Sequence, residues 1–120
     1  MTALNVSRQY TDQIRIGDTQ VMAYLTGLVF KEGETWVSYA PALEISSYGD
    51  KIEDAAESLR EAVMLILGDL HASGGLDEDL RRLGWLVSAA GAYHKRQSLK
   101  RQIPDSVADN YYLRPLSISL

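Results

Sequence analysis

Cysteine is absent from the chain. That excludes disulfide staples, thiolate catalysis and cysteine-based zinc sites together. It fits a reducing compartment, and a cytoplasmic location is the expectation. Long apolar runs are missing too, since no stretch approaches the roughly 20 residues of a membrane span. The N-terminal stretch lacks a basic cap followed by an apolar segment, so no signal peptide is expected. Histidine is scarce. Only His71 and His94 occur, and neither has further ligands at a metal-binding spacing. No P-loop, dinucleotide glycine fingerprint or Gly-x-Ser-x-Gly elbow is found. Positive charge is not in excess either. A net charge of −4 and a pI near 5.1 argue against attraction of the whole molecule to nucleic acid or acidic membranes.

What is present is the composition of one globular domain. The chain has 120 residues, 46% hydrophobic and 23% charged, which suffices for a core without staples. The strongest patterning lies between Val21 and Gly75. Residues 21–30 are rich in β-branched and aromatic types and read as one strand. Met22, Tyr24, Leu28 and Phe30 alternate with Val21, Ala23, Leu25 and Val29, so both faces are apolar. Such a strand expects cover on both sides. A hairpin turn at Glu32-Gly33 would place Lys31 opposite Glu34 and lead into Thr35–Ala40. Pro41 closes that strand, and residues 43–48 alternate well enough for an edge strand.

Asp50 then offers an N-cap, with Glu53 three residues on in the manner of a capping box. Apolar residues recur at Ile52, Ala55, Ala56, Leu59, Val63, Ile66, Leu67 and Leu70, the spacing of an amphipathic helix. Gly74-Gly75 stops it. Asp77 is expected to cap a short second helix ended by Gly84, with Trp85 plugging the underside of the core. Residues 86–92 could continue as helix, although Gly91 weakens that reading. Leu116, Ile118 and Leu120 alternate with Ser117 and Ser119 as a closing strand, expected to return beside the first. The fold class is therefore α+β: a three-stranded antiparallel sheet plus a returning C-terminal strand, packed on one long helix.

Chemistry-bearing residues have ordinary explanations. His71 falls on the polar side of the long helix near its end, where a cation suits the dipole. The acidic groups Glu53, Asp54, Glu57 and Asp77, Glu78, Asp79 fall in the opening turns of helices, where capping accounts for them. Ser46, Ser47 and Ser58 have no histidine nearby in sequence. A ribonuclease-H-type hydrolase would need a converging acidic triad, and none is visible on the strands. The expectation is that the chain is not an enzyme and holds no cofactor or metal. Ten aromatics, seven of them tyrosine, leave Tyr24, Trp36, Tyr39 and Tyr48 as candidates for a partner or oligomer interface. The segment 81–104 carries six basic residues and no acid. Arg81, Arg82, Lys95, Arg96, Lys100 and Arg101 are candidate contacts to nucleic acid or to an acidic partner, although such a run is more often a solvated face.

The run Trp36-Val37-Ser38-Tyr39-Ala40-Pro41-Ala42-Leu43, then Ser47-Tyr48-Gly49-Asp50, then Glu53-Asp54-Ala55-Ala56-Glu57-Ser58-Leu59-Arg60-Glu61-Ala62, resembles the HicB-like antitoxin domain. The family pattern is an aromatic-valine strand, a proline-x-leucine step, a glycine-polar junction and an acidic-acidic-alanine opening into a helix. The likeness covers residues 21–85, and 113–120 more thinly. It implies a partial ribonuclease-H-like sheet of βββαβ order without catalytic carboxylates. The implied function is a prokaryotic type II antitoxin that neutralises a HicA-type mRNA-cleaving toxin by protein–protein binding, as a homodimer or higher oligomer. Residues 1–20 would be an N-terminal arm, 21–85 the HicB-like core and 86–120 a C-terminal extension. That extension is too short for the DNA-binding module many members carry. The alternative is a small RNA- or DNA-binding protein using residues 81–101.

Overall fold

A computed structural model describes residues 9–98 and 111–120. Among these the elements are β1 (Gln9–Ile16), β2 (Val21–Leu25), β3 (Leu28–Glu32), β4 (Thr35–Ala40), β5 (Ile45–Gly49), α1 (Ile52–Ser73), α2 (Leu76–Arg82), β6 (Leu86–Ala89), β7 (Ala92–Ser98), β8 (Tyr111–Leu113) and β9 (Leu116–Ser119). The class is α+β and every strand pairing is antiparallel. The strands form a five-stranded ladder, β6-β7-β1-β2-β9, and a four-stranded ladder, β5-β4-β3-β8. The expected three-stranded sheet with one returning strand is thus corrected to nine described strands. No helix among the described residues is long and apolar enough to cross a membrane.

Two long ribbons join the ladders. The expected single strand 21–30 divides at Thr26-Gly27 into β2 and β3, one in each ladder. Its neighbour divides at Arg114-Pro115 into β8 and β9. Leu25 pairs with Leu116 and Leu28 with Leu113, so the closing strand runs beside the first on both sides of the break. The chains nearly touch there. A Cβ on Gly27 would lie 2.5 Å from the Arg114 carbonyl oxygen, and the Arg114 N–H donates to the Gly27 carbonyl at 2.8 Å. Asp12 braces the corner from β1. Its carboxylate accepts from the Thr26 N–H at 3.1 Å and from the Thr26 hydroxyl at 2.6 Å.

Side-chain alternation continues through the corner. Val21, Ala23, Leu25 and Val29 are all buried. Leu59, Val63 and Leu67 of α1 meet the first three of these in one cluster with Ile14, Leu116 and Ile118. The start of α1 rides on Gly49, where a Cβ would sit 2.5 Å from the Ala55 nitrogen. This explains the glycine at the strand–helix junction.

Several local expectations change. The β3–β4 turn is Gly33-Glu34, with Glu32 opposite Thr35 and Lys31 opposite Trp36; Gly33 takes φ 63°, as a primed two-residue turn requires at its first position. Asp50 does not cap α1. Lys51 is the N-cap, without a side-chain bond, and Glu53 accepts from Arg114 at 2.8 Å instead of reaching back. Gly74 closes the helix in the left-handed region at φ 79°, and the Gly75 N–H reaches the Leu70 carbonyl at 2.9 Å. The second helix begins at Leu76 after Gly75, so Asp77 lies in its first turn. There it accepts from the Tyr93 hydroxyl and from Arg81. Trp85 is buried and its indole N–H donates to the Ala42 carbonyl at 2.9 Å.

Residues 86–92 are strand and turn, not helix. The stretch read as an N-terminal arm contains β1, which lies between β7 and β2. Both strands escaped the pattern for one reason. Asp12 and Lys95 are register partners at positions facing the core side, where an apolar residue would have revealed the period.

Candidate functional site

The four candidate aromatics do not converge. Tyr24 pairs with Ser117 and Gln13 on the outer face of the five-stranded ladder and is 45% exposed. Tyr39 and Tyr48 lie on the outer face of the four-stranded ladder. Row partners there include Leu28 with Leu113 for Tyr39, and Val37 with Phe30 for Tyr48. Tyr48 is 71% exposed. Trp36 points to the other side of that ladder, the side that carries α1. Its ring meets Tyr112 edge-on at 6.0 Å, with Lys31 5.7 Å from the Trp36 ring and Arg114 5.8 Å from the Tyr112 ring. Arg114 also reaches Glu53, so this stack ties the hairpin to the helix start.

The four described cations of the basic segment do not form one patch either. Arg81 pairs with Asp77 at 2.9 Å and Arg82 with Asp79 at 2.8 Å. These are helix-spaced surface pairs whose charge is offset locally. The hydrogen bond and charge of Asp79 raise the Arg82 pKa, and hydrogen bonds from Tyr93 and Arg81 lower that of Asp77. Lys95 turns inward and donates to the Leu83 carbonyl at 2.5 Å. Arg96 faces the other side of β7, opposite Thr11. Lys100 and Arg101 lie outside the described residues.

The structure instead assembles two surfaces of opposite character that the sequence reading missed. One is the outward side of α1. Asp54, Glu57, Glu61 and Asp69 are all exposed, and no ion pair joins them to a described residue. Leu65 stands among them, exposed. The other is the outer face of the five-stranded ladder. Register places Arg96 and Thr11 in one row; His94, Gln13, Tyr24 and Ser117 in a second; Ala92, Arg15, Met22 and Ser119 in a third. None is a carboxylate. Two depressions open on this face. One of about 180 Å³ is bordered by Thr11, Gln13, Arg15, Ser88 and His94. The second, of about 150 Å³, is bordered by Met22, Tyr24, Arg60, Ser117 and Ser119. Arg60 reaches this edge from α1 and donates to the Ser117 carbonyl at 2.5 Å.

The face was not legible from composition because its cations come from segments far apart in sequence. Among the described residues no group of three His, Asp or Glu side chains could hold a metal ion. His71 is exposed in the last turn of α1. Comparison with family models, with curated proteins and with solved structures finds no match for this chain.

Proposed function

We propose that the chain is a HicB-like antitoxin that neutralises a HicA-type mRNA-cleaving toxin by covering it. The observation that carries this reading is the outward side of α1. Four exposed carboxylates, Asp54, Glu57, Glu61 and Asp69, have no ion-pair partner among the described residues. A protein that binds mRNA carries basic surface, and an unneutralised acidic helix face is its electrostatic complement. Part of the element order suits the resemblance, namely β3, its hairpin partner β4, the edge strand β5 and the long helix α1, while β1, β6 and β7 lie outside that pattern. Within this reading the partial ribonuclease-H-like sheet is a scaffold. Self-association through the exposed Tyr48 on the edge strand β5 belongs to the same proposal.

The test is to co-purify the chain with a HicA-type toxin and to follow mRNA cleavage as the chain is added. Cleavage should fall to background near equimolar ratio. Glu57→Lys with Glu61→Lys should slow association by roughly tenfold or more at low salt, with the effect shrinking as salt rises. Undiminished cleavage at excess chain sinks the proposal.

A further inference from the structure

The outer face of the five-stranded ladder is unlike the rest of the molecule. The chain carries a net charge of −4, yet the paired rows of this face hold Arg15, Arg96 and His94 and no carboxylate. Neither arginine makes an ion pair with a described residue. Both are exposed, in contrast to Arg81 and Arg82, which are held by aspartates. Thr11, Gln13, Ser117 and Ser119 add hydroxyl and amide groups, beside the apolar Met22, Ala92 and Leu86. Tyr24 is 45% exposed at the centre of the face, with Gln13 on one side and Ser117 on the other.

From this juxtaposition we infer that the outer face binds single-stranded RNA. Each part of the ligand has a counterpart. Phosphates match two guanidinium groups that make no ion pair with a described residue, and their planar forks suit phosphate oxygens. A base matches the exposed Tyr24 ring, because sheet faces with exposed aromatics stack splayed bases. The hydroxyl and amide groups of the flanking positions suit base edges and ribose hydroxyls. Cross-strand spacing of about 4.8 Å and a rise of about 6.8 Å per two residues put the Cα of Arg15 roughly 8 Å from that of Tyr24. A strand of nucleic acid crossing β1 and β2 could therefore engage both. A duplex offers no unstacked base to Tyr24, which favours the single strand. The site lies on the opposite side of the sheet from α1 and does not depend on the antitoxin reading.

The experiment is fluorescence anisotropy of the full chain with a labelled single-stranded oligoribonucleotide, the matching duplex, and polyglutamate as competitor, at two salt concentrations. Binding should favour the single strand and weaken steeply with salt. Arg15→Ala and Arg96→Ala should each lower the salt slope by about one phosphate's worth. Tyr24→Ala should weaken binding about tenfold, and Tyr24→Phe should retain the stacking and stay near wild type. Arg81→Ala makes the same change in charge on another surface and should leave binding unaltered. Circular dichroism checks that each variant folds. Absence of binding at low salt, equal affinity for duplex, or an equal effect of Arg81→Ala would overturn the inference. Displacement by polyglutamate as effective as by RNA would also overturn it and reassign the face to an acidic protein.

Discussion

Asp12 is 1% exposed on β1, and its carboxylate holds the Thr26 N–H and hydroxyl at the corner. Burial raises its pKa above the ordinary carboxylate value. The Thr26 bonds and the charge of Lys95 oppose that shift without cancelling it. An acid whose folded-state pKa is raised binds its proton more tightly in the folded state. Its contribution to stability is full below the unfolded value of about 3.9 and is lost as pH rises through the higher folded value. Asp12→Asn removes that dependence. Urea unfolding of both proteins across the acid range should show the variant gaining stability relative to wild type as pH rises. A constant difference would remove the assigned cause. The same residue explains why β1 was hidden. A buried aspartate at an inner position interrupts the run Asp12, Ile14, Ile16 that would otherwise mark a strand, and burial is a property of the fold that no pattern of residue types displays.

At the scale of elements, α1 was legible almost to the residue because its stripe is long and its C-terminal glycine pair is unambiguous. Its start was not. The capping box expected at Asp50 and Glu53 is replaced by an ion pair to Arg114, which lies 61 residues away in the chain. The corner at Thr26-Gly27 was equally invisible, since the alternation of residues 21–30 runs through it unbroken. The break arises where the link between β8 and β9 passes close against Gly27. An alanine methyl at Gly27 would meet backbone, not a yielding side chain. Gly27→Ala should therefore cost about 1–3 kcal/mol or more in chemical denaturation. Gly68 in α1 has nothing within 4 Å of its notional Cβ. Gly68→Ala should instead stabilise by about 0.5–1 kcal/mol. Equal effects at the two positions would count against the corner.

On the scale of the whole molecule, three surfaces differ in character. The outward side of α1 is acidic, the outer face of the five-stranded ladder is basic, and the outer face of the four-stranded ladder is apolar. On the last, Leu28 and Tyr111 are buried, Phe30, Val37 and Tyr39 are half-buried and Tyr48 is 71% exposed. A tyrosine this exposed on the edge strand β5 suits contact with a second copy of the chain. Light scattering should give a dimer mass for the wild type and a monomer mass for Tyr48→Glu. A monomer in both would remove self-association from the proposal.

Sequence alone determined the class, the long helix, the hairpin and the closing strand, because each rests on local periodicity or on turn residues whose physics is local. It also located the apolar surplus on residues 21–30. Tertiary structure decided the rest: the division into two ladders, the inward turn of Asp12 and Lys95, the separation of Arg81 and Arg82 from Lys95 and Arg96, and the gathering of Arg15, Tyr24 and Arg96 on one face. Those depend on which strands pair and which face the helix covers. Pairing between strands whose partners, such as Met22 and Ser119, lie almost the whole chain apart is set by long-range contacts that no local window contains.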